Sequence, residues 1–329
     1  MHTIFHIGAP KTGTTAIQFA LATAREALLQ QGICYPQSVR GVVHHGFFAA
    51  SFQPRLSRGY QFVQSLDPDQ FNLDVEEQSA FINAAATSGE FETLIVSSED
   101  FFFDIIFRAN KSGFDTIRAN SNSFTVAAYV RSPADHYLSV AQQILKASHI
   151  LPEPLYRMRP ALSGWASLFP DSLRVRVFVQ NVAADFCQAF VPELAPDFMQ
   201  SQSRKNETMS SEAMYLLQEY RRENFPDVPN MLNRETTVFI TALQRADRSI
   251  EGYRKPILRQ SIIAAVESLA EDAYWLRDNL GIQFEGFEYS PNRPKPQFAF
   301  GDLNVADICN IDHERLSVLR ATISGLPLR

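Results

Sequence analysis

The residues best suited to chemistry stand together in the stretch GAPKTGTT, Gly8 to Thr15. It follows the apolar run TIFHIG and opens a helical pattern, which places it at a helix N-terminus. There, free backbone N–H groups and the helix dipole favour an anion. Gly8 and Gly13 permit a tight turn and close backbone approach. Thr12, Thr14 and Thr15 add hydroxyls, and Lys11 adds a positive charge. The glycine spacing G-x-x-x-x-G is that of triphosphate-binding loops, but Thr14 stands where the triphosphate-gripping lysine would be. The lysine lies inside the loop instead. A turn that merely joins strand to helix is the plain alternative; a strand, a glycine loop, a lysine and three threonines together favour a phosphate ligand.

A second constellation follows the run FTVAAYV. In VRSPADHYLSVAQQ, Arg131 ends the strand and Ser139 lies eight residues on, in the next helix. Ser132 suits the cap, Pro133 the first turn, and Asp135 completes a capping-box pattern. Ser139 lies about 9 Å along that helix at 1.5 Å per residue, so both side chains reach a phosphate lying across the helix start. Asp135 reads as a cap rather than a reacting group, and His136 as a surface or packing residue.

These motifs carry a family resemblance. PKTGTT after a first apolar strand resembles the 5′-phosphosulfate loop of sulfotransferases that use 3′-phosphoadenylyl sulfate (PAPS), and Arg131 with Ser139 resembles their 3′-phosphate motif. The resemblance implies that Lys11 contacts the phosphosulfate, that the Thr12–Gly13–Thr14–Thr15 stretch binds the 5′-phosphate, chiefly through Thr14 and Thr15, and that no metal is required. The displaced lysine then has a reason. A triphosphate needs a cation over its β and γ groups together with magnesium, whereas a phosphosulfate needs charge beside the transferring group and its bridging oxygen. LSGWASLFPDSLRVRVFVQN resembles a later helix–strand segment of the family, with Trp165 read as core. SRKNETMSSEA, within 201–213, falls where relatives carry a loop that closes over the nucleotide. Arg204 and Lys205 there meet the 3′-phosphate or adenine, or are solvated surface charges. Asn206 departs from the glycine of the cytosolic steroid and phenol enzymes, and the bacterial, glycan-type branch is the nearer one. The resemblance spans roughly residues 1–215.

Sulfuryl transfer to a hydroxyl needs in-line positioning, charge stabilisation on the leaving phosphate oxygen and a base for the acceptor proton. Lys11 fits the second need. For the base, the family places a histidine or glutamate just after the strand equivalent to TLIVSS, which makes Glu99 the candidate; a helix cap or a surface carboxylate is its plainer role. His44 and His45, in the helix-like GVVHHGFFAA, stand second, as acceptor contacts or as a rival base at His45. No compact His, Cys and carboxylate cluster accompanies them, so no metal is expected.

These groups need a scaffold. Short β-rich runs at 3–8, 93–98, 124–130 and 174–179, and a weaker one at 32–36, alternate with helical patterns at 13–31, 74–88, 133–148 and 181–190. Alternation of this kind predicts α/β architecture with a parallel sheet covered by helices on both faces, and the resemblance implies a three-layer P-loop-like fold with a central parallel sheet flanked by helices. From about residue 208 the patterns are helical only. The expected organisation is one domain over 1–329, with an α/β nucleotide-binding core at 1–207 and a mainly helical region at 208–329. The chain's 329 residues suffice for such a core, and its net charge of −6 gives no reason to expect nucleic acid or an anionic membrane as partner. Cys34, Cys187 and Cys309 are too scattered for a metal or disulfide framework and fit a reducing compartment. With neither a secretory signal nor a run of roughly 20 apolar residues, a cytoplasmic enzyme is expected. Its partners are a nucleotide co-substrate and a hydroxyl acceptor, carbohydrate first. A P-loop kinase or nucleotide hydrolase, and a nucleotide-binding protein without catalysis, are the competing readings.

Overall fold

The computed structural model describes residues 1–52, 67–102, 111–192, 208–227, 231–290 and 292–325. The chain forms two compact units: Met1–Arg131 with Arg157–Arg204 and Trp275–Phe284, and Ser132–Tyr156 with Lys205–Tyr274 and Glu285–Arg329.

The first unit is an α/β layer structure. Its strands are β1 (His2–His6), β2 (Ile33–Cys34), β3 (Thr93–Ser97), β4 (Ser123–Val130) and β5 (Leu173–Val177), in the spatial order β2-β3-β1-β4-β5. All neighbours are parallel, with His6 level with Ser97 on one side and with Ala127 on the other. The helices are α1 (Thr14–Thr23), α2 (Arg25–Gln30), α3 (Gly46–Ser51), α4 (Pro68–Thr87), α5 (Asp115–Asn120), then, past a segment of the second unit, α7 (Arg159–Leu168) and α8 (Val182–Phe190).

Alternation along β1 explains the layers, since successive side chains point to opposite faces. Ile4 packs with Ile17, Leu21, Val182 and Phe186 of α1 and α8 on one face. Phe5 points the other way, its ring 5.2 Å from Trp165 and Phe169 and 5.5 Å from Phe114. Trp165 is buried, as expected, and its indole N–H donates to the Phe101 carbonyl at 2.8 Å. The strand order turns at β1, with β3 on one side and β4 on the other. The carboxyl ends of these strands therefore define the crevice where parallel sheets bind ligands.

Helix α4 begins earlier than its hydrophobic pattern suggests, because Asp67 caps it and Pro68 occupies the first turn. The weak strand at 32–36 shrinks to two paired residues. GVVHHGFFAA is helical only from Gly46; His45 is the N-cap and His44 precedes it.

The second unit is helical. It contains α6 (Pro133–Leu145), α9 (Ser211–Asn224), α10 (Arg234–Ser249), α11 (Gln260–Ser268), α13 (Val305–Ile308) and α14 (His313–Ser324), around a core that includes Leu217, Leu243, Ile308 and Leu319. The stretch 256–281 is broken: α11 ends in short-range bonds from Leu269 to Val266 and Ala270 to Glu267, and α12 (Glu271–Leu280) starts afresh with Glu271 and Asp272 at its N-terminus. Among the described residues, no helix is long and apolar enough to cross a membrane.

Candidate active site

The loop from Gly8 to Gly13 is shaped by two glycines. A Cβ on Gly8 would fall 2.0 Å from the Thr14 hydroxyl oxygen. Gly13 has φ of 82°, and a Cβ there would lie 2.5 Å from Val182 Cγ1. Lys11 also takes the left-handed conformation, with φ of 64°. That is uncommon for a residue with a Cβ and is a conformation that the surrounding structure must hold in place. Gly13 is the N-cap of α1, and no side chain caps the helix. Its first N–H groups thus lack intrahelical partners. Thr14 is 3% exposed, yet its Oγ1 has no hydrogen-bond partner among the described residues; Thr15 is exposed beside it. Thr12 differs from its neighbours. Its N–H and its hydroxyl both donate to the Ala9 carbonyl, at 3.3 and 2.6 Å. Thr12 therefore braces the turn, with both of its donors on Ala9.

Glu99 sits against this loop. It follows β3 and opens the short turn Glu99–Phe102, and its carboxylate accepts the backbone N–H of Lys11. Burial pushes Glu99 above the ordinary carboxylate range. The Lys11 charge and N–H pull the other way, while neighbouring Asp100 adds to the rise. A cation and a largely desolvated carboxylate are thus side by side at the carboxyl end of the sheet. Two residues of the run after Glu99, Phe101 and Phe102, are buried; Phe103 lies outside the described residues.

The histidines divide. His45 is fully buried: Nδ1 accepts the Ser97 N–H at 3.0 Å, and Nε2 lies 3.0 Å from the Pro36 carbonyl. Burial holds its pKa down at about 4. With both ring nitrogens engaged, His45 has no site from which to take a substrate proton. His44 accepts the Gly46 N–H through Nδ1 at 3.0 Å. Burial lowers its pKa against the pull of Asp100.

Arg131 closes the first unit after β4. Its guanidinium carbon lies 4.9 Å from the Phe178 ring centre. The same ring edge stands 3.0 Å from where a Gly13 Cβ would be, so Phe178 links Arg131 to the loop. Ser139 belongs to α6 of the second unit and is half-buried. At the start of α6, Ser132 caps as expected, accepting the Asp135 N–H at 3.4 Å. Instead of a reciprocal capping box, its hydroxyl donates to Asp135 Oδ2 at 2.9 Å. His136 is a packing residue, edge-on to Tyr156. Arg204 and Lys205 lie outside the described residues.

Three participants escaped the sequence reading. Phe178 gave no signal beyond its place at a strand end. His6 had one, a histidine inside the apolar TIFHIG beside Gly8. Its Nδ1 lies 2.8 Å from Ser97 Oγ, and burial lowers its pKa to about 3. Ser97 is the third, with its N–H, carbonyl and hydroxyl all engaged.

No family model matches the chain, and no curated protein matches it. Among solved structures it is similar to the sulfotransferase domain from the curacin biosynthetic pathway, with 13% identity over 63% of this chain and 75% of that one. The TM-score is 0.29, too low for the likeness to bear on fold or chemistry.

Proposed function

We propose that this protein is a sulfotransferase that moves the sulfuryl group of PAPS to a hydroxyl acceptor, a carbohydrate of the kind used by the glycan-type branch. The observation that carries the reading is the contact between Lys11 and Glu99. It sets a cation and a carboxylate of raised pKa next to the uncapped start of α1. Kinases and hydrolases of triphosphates need a cation one turn further on, where this chain has Thr14.

In this reading the 5′-phosphate rests on the N–H groups of Gly13, Thr14 and Thr15 and on the Thr14 and Thr15 hydroxyls. Arg131 takes the 3′-phosphate. The acceptor oxygen attacks sulfur as the bond from sulfur to the bridging phosphate oxygen breaks. The acceptor proton passes to Glu99, whose desolvation makes it a stronger base than a solvated carboxylate. Lys11 and the helix start stabilise charge on the departing phosphate oxygen.

Adenosine 3′,5′-bisphosphate, the expected product, tests the site directly. At 100 times its dissociation constant it should add about 2.7 kcal/mol to folding stability without divalent metal, read as a thermal shift. No shift at millimolar ligand, or a shift with ATP that needs magnesium, overturns the assignment. Transfer of radiolabelled sulfur from PAPS to a panel of glycans then identifies the acceptor.

A further inference from the structure

We propose that His45 is a positioning residue that holds Glu99 against the Lys11 loop by standing in for a missing stretch of strand β2. The role in turnover rests on the sulfotransferase reading; the clamp itself does not. Strand β2 pairs with β3 only at Ile33↔Thr93 and Cys34↔Leu94, so it ends before the final residues of β3. On that side Ser97 is bonded twice by a single residue. The His45 N–H donates to the Ser97 carbonyl at 2.8 Å, and the Ser97 N–H donates to His45 Nδ1 at 3.0 Å. A donor and an acceptor facing one residue's C=O and N–H are what a neighbouring parallel strand would provide. Here the backbone supplies one and the imidazole ring the other.

The ring is itself fixed. Because Nδ1 accepts, the proton resides on Nε2, which donates to the Pro36 carbonyl at 3.0 Å. Tyr35 packs on the ring at 4.7 Å between centres. From the β1 side the His6 carbonyl accepts the Ser98 N–H at 3.1 Å. Ser97 and Ser98 are thus pinned from both flanks, and Glu99 is the next residue, its carboxylate on the Lys11 N–H. Protonating Nδ1 would break the bond to Ser97, so the neutral ring is the working form; burial keeps it so, with a pKa of about 4.

The experiment compares His45→Ala, His45→Asn and His45→Gln by amide exchange and by turnover. An asparagine Oδ1 occupies the place of Nδ1 and accepts a hydrogen bond, yet takes up no proton. Glutamine reaches the Nε2 position and leaves the Ser97 N–H unanswered. In the wild type the Ser97 amide is protected by His45 and the Lys11 amide by Glu99. His45→Ala and His45→Gln should lose protection at both amides, although Lys11 is remote in sequence from the changed residue. Turnover should fall about 10²-fold, the loss expected for a misplacement of about 1 Å. His45→Asn should restore protection and turnover to within a few-fold, with the pH–rate profile unmoved. Unchanged exchange at Ser97 and Lys11 in His45→Ala overturns the clamp. Full protection in His45→Asn with turnover as low as in His45→Ala also overturns it, because the ring itself would then be needed to carry a proton. If no sulfuryl transfer is found for any acceptor, the enzymatic reading fails and the paired loss of protection still decides the clamp.

Discussion

Glu99 in the first unit and Arg315 in the second are charged groups drawn away from water, and their surroundings differ in kind. Arg315 of α14 is 6% exposed and reaches Glu212 of α9 at 3.0 Å and Asp247 of α10 at 2.7 Å. Asp247 in turn accepts the Ser210 hydroxyl at 2.6 Å and the Ser210 N–H at 2.9 Å. Ser210 caps α9, so the cluster ties three helices together through groups that mostly answer one another, with Arg315 Nε the buried exception among the described residues. Around Glu99 the balance is different, although its carboxylate accepts the Lys11 N–H. The carboxylate is pushed towards its protonated form, Lys11 sits in a left-handed conformation, and the Thr14 hydroxyl is buried without a partner among the described residues. Groups that satisfy each other hold a fold, while strained and poised groups cluster at functional sites, which is the reading proposed for the loop.

Substitution should separate the two cases. Glu99→Gln keeps shape and cannot accept a proton, so turnover should fall about 10²–10⁴-fold while nucleotide affinity stays near wild type. Its stability at pH 8 should hold or rise, because a carboxylate with raised folded pKa is disfavoured in its ionised form. A clear drop in unfolding midpoint would mean that Glu99 is structural, and the contrast with Arg315 would collapse. Arg315→Ala should do the opposite. It strands Glu212 and Asp247 as buried charges, at a cost of about 3–5 kcal/mol in urea unfolding. A cost under about 1 kcal/mol would show that water already enters the cluster.

Acid sharpens the comparison further. Burial lowers His6 to about 3 and His45 to about 4, whereas both titrate near 6.5 once unfolded. Below pH 6.5 the unfolded chain takes up protons that the folded chain refuses. The stability these neutral rings contribute is complete above pH 6.5 and is lost as pH falls towards 4 and then 3. Each histidine should give a slope of about 1.4 kcal/mol per pH unit. His45→Asn should remove its share between pH 6 and 4 in urea unfolding. An unchanged slope would place the acid sensitivity elsewhere.

What the sequence revealed followed from locality. The parallel α/β architecture, the helix start after Gly13, the Ser132 cap and the buried Trp165 are set by neighbours a few residues apart. Glu99 was placed beside the loop because strand ends converge at the edge of a parallel sheet, a property of topology rather than of any contact. The remainder depended on distance in sequence. Nothing near His45 announces that its ring will bond Ser97, which lies 52 residues on. Nor does any spacing tie Arg315 to Ser210 across 105 residues. Thr12 read as a ligand because its type and place were right. Only the path of the loop shows that both of its donors turn onto Ala9.

Arg131 lies between the two kinds of site, and the smallest expected effect tests which kind it is. Its guanidinium is stacked on Phe178, and Phe178 in turn buttresses Gly13. If Arg131 serves as a ligand for the 3′-phosphate, Arg131→Ala loses one charge-assisted contact, about 1.5–3 kcal/mol. That loss should appear with adenosine 3′,5′-bisphosphate and vanish with adenosine 5′-phosphosulfate, which lacks the 3′-phosphate, when both are titrated by calorimetry. If Arg131 instead keeps Phe178 against the loop, the 5′ end of either nucleotide is disturbed and both weaken together. Arg131→Lys refines the reading. It keeps the charge but loses the planar stacking on the ring. A ligand role then predicts partial recovery for the bisphosphate alone, and a bracing role predicts no recovery for either nucleotide.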